Sequence, residues 1–199
     1  MKLSVRNGVF YILRVIAGVA KGHRLKTPRG MATRPTSDRV KEALFNIIAA
    51  FVPDSYVLDM FSGTGSLGIE ALSRGAAYAV FVDYHKECVD IIKENLNYTK
   101  LQSKAKVFQA DCLRVAKKLG RRGNRFDIIF MDPPYSKNLV EGALSSIVEN
   151  GIIKDNGIIV VEHRKSDTVP QKIGDVELVR RQDYGDTSLS FYRRKEISN

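Results

Sequence analysis

The sequence predicts an α/β fold: a doubly wound, mostly parallel seven-stranded sheet with a C-terminal antiparallel hairpin and a small N-terminal β-hairpin extension. Three observations carry this expectation. Short β-branched runs alternate with amphipathic stretches from about residue 56 to 162, which implies right-handed crossovers and a sheet covered on both faces. A strand, a glycine-rich turn and a helix start follow one another from Val57 to Gly68. Beyond residue 175 two runs flank Tyr184-Gly185-Asp186, too short a link for a crossover helix, so they pair antiparallel.

Length and composition agree. A chain of 199 residues suits one domain with an appendage, divided as 1–33 for the extension and hairpin and 34–199 for the main domain. With 44% hydrophobic and 27% charged residues, a disordered or fibrous chain is excluded. Phe10 to Ile16 and His23 to Thr27 flank Lys21-Gly22 and read as the N-terminal hairpin. Thr36 to Phe51 sets Val40, Ala43, Leu44, Ile47 and Ile48 on one helical face, with Thr36 or Ser37 as N-cap and Pro53 as its end. Strands are expected at Tyr56 to Phe61, Ala77 to Val82, Lys104 to Gln109, Phe126 to Met131, Gly157 to Glu162, Val176 to Arg180 and Leu189 to Arg193. Helices are expected at Leu67 to Arg74, His85 to Asn97, Leu113 to Leu119 and Leu139 to Val148.

No apolar run reaches the roughly 18 residues of a membrane span, so a cytoplasmic location is expected. Cys88 and Cys112 stand without C-x-x-C or histidine spacing, which argues against structural zinc and against a disulfide framework. No metal and no membrane partner are expected. The net charge of +10 is concentrated: residues 1–41 hold ten basic residues against Asp38 alone, leaving the other 158 residues almost neutral. Such a segment suits the phosphate backbone of a nucleic acid. Lys21, Arg24, Lys26, Arg29, Arg34 and Arg39 are the candidate RNA contacts; for Arg34 and Arg39 a bracing role through Asp38 or Glu42 is the alternative. A second acid-free run, Arg114, Lys117, Lys118, Arg121, Arg122 and Arg125, reads equally well as a solvated surface.

The chemistry-bearing residues follow the strands. Asp59 precedes Gly63-Thr64-Gly65-Ser66-Leu67-Gly68, a G-x-G-x-x-G pattern whose glycines let backbone approach a ligand. By itself the pattern also fits a tight turn or a dinucleotide enzyme. Asp59 disfavours the latter, since an anion there repels a pyrophosphate but holds a cationic amino group. Asp83, ending the second strand, suits ribose hydroxyls, and Asp111, after the third, suits an adenine amino group. Singly, either would be read as a helix cap; in register with the glycine turn they describe a nucleoside with a cationic amino-acid tail. After the fourth strand comes Asp132-Pro133-Pro134-Tyr135. The prolines fix φ and remove two donors, leaving a carboxylate, a carbonyl and an aromatic face side by side. That trio suits an exocyclic amino group on a planar base.

These residues resemble class I S-adenosylmethionine-dependent methyltransferases that modify exocyclic amines. More narrowly, Arg34 to Asn46 (RPTSDRVKEALFN), Asp59 to Ala76 (DMFSGTGSLGIEALSRGA) and Tyr184 to Tyr192 (YGDTSLSFY) resemble the RsmD family, over about residues 13 to 194. The resemblance implies a Rossmann-like fold and methyl transfer from S-adenosylmethionine, with S-adenosylhomocysteine as product. The acceptor it implies is the N2 of a guanine in bacterial 16S rRNA, within an assembled or assembling 30S subunit. It further implies Asp59, Phe61, Gly63 and Gly65, with Ser62 and Thr64, around the methionine part of the cofactor. Asp83 and Tyr84 fall to the ribose side, Asp111 and Cys112 to the adenine, and Asp132, Pro133, Pro134 and Tyr135 to the target base. The family usually opens near Arg14-Val15-Ile16-Ala17-Gly18, which leaves residues 1–13 upstream. The runner-up is a DNA adenine-N6 or cytosine-N4 methyltransferase, disfavoured because the chain leaves no room for a base-reading domain. A non-enzymatic RNA-binding scaffold would be expected to lose the glycines or Asp132. The third alternative is a nicotinamide dehydrogenase, which would bind NADH and not S-adenosylmethionine.

Overall fold

The computed structural model describes residues 4–6, 9–11, 13–28, 38–133 and 137–195. Two short strands, β1 (Ser4–Arg6) and β2 (Val9–Tyr11), pair antiparallel ahead of the main fold. Then come α1 (Asp38–Ile47), β3 (Tyr56–Asp59), α2 (Ser66–Ser73), β4 (Tyr78–Asp83) and α3 (Lys86–Tyr98). They are followed by β5 (Ala105–Gln109), α4 (Cys112–Arg121), β6 (Phe126–Met131), α5 (Lys137–Glu149) and β7 (Ile153–Arg164). Strands β8 (Lys172–Ile173), β9 (Val176–Tyr184) and β10 (Thr187–Arg194) end the chain. The main sheet runs β5-β4-β3-β6-β7-β10-β9-β8. Neighbours from β5 to β7 are parallel, and β10 is antiparallel to both β7 and β9. The chain steps outward from β3 to β5, then returns through α4 to β6, so crossovers diverge between β3 and β6. Open α/β sheets bind ligands at such a switch point, at the carboxyl ends of the strands.

Alternation along the strands divides the core in two. Phe130 joins Phe45, Leu72 and Ile92 beneath α1, α2 and α3; Ile129 and Met131 join Val115, Leu119, Leu144 and Ile147 beneath α4 and α5. A Cβ at Gly68 would lie 2.3 Å from the Phe81 ring. The last glycine of the motif therefore serves the packing of α2 on β4.

Several features differ from the sequence expectation: α1 ends at Ile47, with a 3-10 turn at Ala49–Phe51 after it, and the upstream extension carries the β1–β2 pair. The sheet has an eighth strand, because β8 pairs two residues at the edge with β9, too few for any hydropathy pattern. The N-terminal hairpin is pared to one bridge, Arg14 with Arg24, flanked by Val15 N donating to His23 O at 2.9 Å and Leu25 N to Leu13 O at 2.8 Å. Its remaining backbone groups bind helices instead. Ile16 N and Ala17 N donate to Glu70 at 2.7 and 3.0 Å, and Ala20 N to Ser73 Oγ at 2.9 Å. Leu13, Val15, Ala20 and Leu25 are buried in the α1, α2 side of the core, so this segment is a strap across α2. The charge that holds it is buried too. Glu70, fully buried, takes an ion pair from Lys41 Nζ at 3.6 Å and one from Arg74 Nε at 2.7 Å, while Lys41 Nζ donates to Arg14 O and to Ser66 Oγ. Burial pulls the Lys41 ammonium down in pKa, and the Glu70 carboxylate opposes that. Helix α1 starts at Asp38; the expected caps Thr36 and Ser37 lie outside the described residues.

Candidate active site

The site is assembled at the carboxyl edge, around β3 and β6. Ser62 pins the turn after β3. Its hydroxyl donates to Asp59 O at 2.7 Å and accepts from Val82 N at 2.9 Å, while Ser62 N donates to Val82 O. Gly63 and Gly65 then adopt φ of +54° and +77°, a left-handed backbone that L side chains resist. A Cβ at Gly63 would meet nothing within 4 Å, whereas one at Gly65 would press Ile69 and Ile92 at 3.3 Å. Gly63 thus presents bare backbone at the edge, and Gly65 seats the start of α2. Thr64 is half-buried; Phe61, also half-buried, packs against the α4, α5 side of the core.

The acids that follow the strands are held differently. Asp59 is 3% exposed and its Oδ2 accepts from Gly68 N at 3.1 Å. Burial pushes its carboxyl up to about 7, with the Gly68 hydrogen bond opposing and the Asp83 charge adding. Asp132 is half-buried directly after β6, and Pro133 beside it is buried. Burial, then the charges of Glu162 and Asp59, hold the Asp132 carboxyl well above the usual carboxylate range. By contrast Asp83 accepts Gly63 N and His85 N, each at 2.8 Å, one on either oxygen. The Cys88 thiol also hydrogen-bonds this carboxylate, which retains acceptor capacity for a hydroxyl. Asp111 caps α4, accepting from Arg114 N at 3.0 Å. Tyr84 is 71% exposed and meets His85 edge-on. Cys112 is buried, and burial pushes its thiol up to about 11.

The structure therefore gathers Asp59, Ser62, Gly63, Thr64, Gly65, Asp83 and Asp132 at one edge, with Asp111 and Cys112 on the far side of β4. Pro134, Tyr135, Arg29 and Arg34 lie outside the described residues. Lys21, Arg24, Lys26 and Arg39 are exposed, but Lys26 pairs with Glu94 at 2.5 Å. Asp38 is taken by Arg14 at 2.8 Å, a surface pair that adds to the strap's buried contacts with Glu70 and Ser73.

Two residues escaped the sequence reading. Glu162 on β7 is 7% exposed and, by the pairing of Met131 with Val161, sits next along from Asp132. Its signal was available, as one more acid at a strand's carboxyl end. Asn95, 1% exposed on the apolar face of α3, accepts Lys26 N at 2.8 Å and donates to Lys26 O at 3.1 Å and to Thr64 O at 2.9 Å. It ties the strap to the glycine turn. Among the described residues no group of three or more His, Cys, Asp or Glu side chains is placed to hold a metal ion, and no helix is long and apolar enough to cross a membrane.

Two acids whose charge burial penalises, beside bare glycine backbone, favour a ligand that brings positive charge. Comparison with known proteins places the chain in a family. A family model described as conserved hypothetical protein 95 matches residues 13–193. YlbH of Bacillus subtilis strain 168 is 38% identical over 92% of this chain and 100% of its own. The ribosomal RNA small subunit methyltransferase D of Haemophilus influenzae is 40% identical over 77% of this chain and 79% of its own. The solved structure of the Escherichia coli protein yhhF superposes with a TM-score of 0.81 at 32% identity, covering 92% of this chain and 97% of that one. With nearly its whole length matched and the glycine turn inside the matched span, the chain belongs to the family of conserved hypothetical protein 95, the RsmD family.

Proposed function

We propose that this protein transfers a methyl group from S-adenosylmethionine to the exocyclic N2 amine of a guanine in bacterial 16S rRNA, with the assembled or assembling small subunit as substrate and the cytoplasm as its location. The observation that carries the reading is the pair Asp59 and Asp132, two desolvated acids at the carboxyl ends of adjacent strands beside the bare backbone of Gly63. Two such acids repel a pyrophosphate and favour positive charge.

When bound, S-adenosylmethionine supplies an electrophilic methyl carbon on a sulfonium. The Gly63 backbone and the remaining acceptor capacity of Asp83 hold the ribose and tail, Asp111 and Cys112 the adenine edge, and Tyr84 covers the open side. Asp132 and the Pro133 carbonyl accept the two N–H bonds of the target amine, and Tyr135, beyond the neighbouring Pro134, stacks on the base. The guanine amine is a poor nucleophile because its lone pair is delocalised into the ring. Fixing its orientation is therefore the main contribution, for which alignment supplies up to about 7–11 kcal/mol. Positive charge in the crevice favours the ionised, accepting form of both acids. The proton that leaves nitrogen goes to the Asp132 carboxylate or to water. Exposed Lys21, Arg24, Lys26 and Arg39, with Arg29 and Arg34, position RNA by its phosphates, and no metal takes part.

Offering tritiated S-adenosylmethionine with purified ribosomal RNA, with small subunits and with plasmid DNA, followed by nucleoside analysis, tests this. Label is expected in N2-methylguanosine. Label in adenine or cytosine of DNA would replace the reading by the DNA methyltransferase alternative.

A further inference from the structure

We infer that the outer face of α4 is a second docking surface for the phosphate backbone of folded RNA, an inference that rests on the reading of the protein as an RNA methyltransferase. Helix α4 turns Cys112, Val115, Ala116 and Leu119 into the core. The same turns set Arg114, Lys117, Lys118 and Arg121 outward at i, i+3, i+4 and i+7, all exposed. These four and Arg122 line one open hollow. Arg125 follows, and no acid occurs between Asp111 and Asp127. From β5, Lys106 extends the patch: its Nζ lies 5.3 Å from the Phe108 ring centre and that of Lys118 lies 5.9 Å away.

This face carries unbalanced charge. Among the described residues none of the six cations from Arg114 to Arg125 makes an ion pair; on the strap side Arg14, Lys26, Lys41 and Arg74 are paired, while exposed Lys21, Arg24 and Arg39 make none. Like charges at i, i+4 oppose the helix that carries them, and a polyanion removes that repulsion. Position supplies the second argument. Helix α4, capped by Asp111 on the edge that holds the candidate site, extends about 15 Å from it over the α4, α5 side of the sheet. The strap cations lie on the α2, α3 side. Cations therefore straddle the catalytic edge, which suits a large folded RNA touching both flanks better than a short strand. Such contacts set register and orientation and carry no sequence information.

The test is the full chain carrying Lys117→Gln, Lys118→Gln, Arg121→Gln and Arg122→Gln, compared with wild type on purified small-subunit ribosomal RNA. Glutamine keeps the helix propensity, and a thermal midpoint within a few degrees of wild type confirms the fold. If the fourfold variant unfolds, Lys117→Gln with Lys118→Gln is read instead, at half the effect. The slope of log affinity against log salt is expected to fall by about 3, at roughly 0.7–0.9 for each phosphate that the helix no longer neutralises. The KM for RNA is expected to rise about tenfold, with kcat at saturating RNA and S-adenosylhomocysteine binding within about twofold. A wild type that methylates RNA and a variant with the same slope and KM would overturn this surface alone. A wild type that neither binds nor methylates RNA would overturn both it and the proposed function. Loss of binding to phosphatidylserine vesicles with an unchanged RNA slope would make the face a lipid contact and overturn the proposal.

Discussion

The aspartates at the carboxyl edge form two pairs of identical chemistry and opposite circumstance. Asp83 and Asp111, on the outer strands, have their oxygens engaged by backbone amides and stabilise the turns they sit in. Asp59 and Asp132, on the inner strands, are held in surroundings that penalise their charge. Hydrogen bonds within the fold account for where the outer pair sits. The inner pair is penalised by burial, a cost that a bound cation would offset under the proposed function. An acid at a strand end becomes informative when its local donors fail to satisfy it.

The contrast breaks first at Asp132. Asp132→Ala is expected to lower kcat by a thousandfold or more, with S-adenosylhomocysteine binding within a few-fold; a loss of cofactor affinity as large as that of Asp83→Ala would merge the two pairs. Next is the stability of the protein without ligand. The Asp59 carboxyl keeps its proton to about 7 when folded but releases it near 3.8 when unfolded. Folding therefore takes up a proton between those values. The Asp59 contribution to stability is fully present below about 4, falls by up to about 1.4 kcal/mol per pH unit as pH rises, and is lost above about 7. In Asp59→Asn this component of the fall is expected to vanish from urea midpoints measured across that range; parallel curves for the two proteins would refute the account.

Asp83→Ala sharpens the outer side of the comparison. Freeing Gly63 N and His85 N is expected to cost about 1–3 kcal/mol of stability together with tenfold or more in cofactor affinity, read by denaturation and titration calorimetry. Glu162 then probes the inner side: as its charge raises the Asp132 carboxyl, Glu162→Gln is expected to move the acidic limb of the pH–rate profile to lower pH. The smallest effect belongs to Asp111. Its replacement by Ala is expected to cost about 1 kcal/mol as a lost cap, and Asp111→Ser to restore stability. Cofactor affinity that remains low in the serine variant would assign the carboxylate to the ligand.

The strand and helix alternation, the glycine turn and the acids after the strands are all legible in the chain, because period, glycine and proline act locally. The rest is not. Hydropathy shows that Glu70, Ser73 and Asn95 lie on helices, but not that a segment 53 to 69 residues upstream supplies their partners. Nor does sequence distinguish Asp111, satisfied by Arg114 N, from Asp59, crowded by apolar neighbours; that depends on packing between distant strands. Nor does sequence show which N-terminal cations are paired: Lys26 and Lys41 find Glu94 and Glu70, remote in the chain.

The same distances order events during synthesis. At about 5–20 residues per second, the 53 to 69 residues that separate the strap from Glu70, Ser73 and Asn95 take roughly 3–14 seconds to emerge. Over that interval the strap lacks the helix groups that hold it, so it locks in place only after α3 has been made.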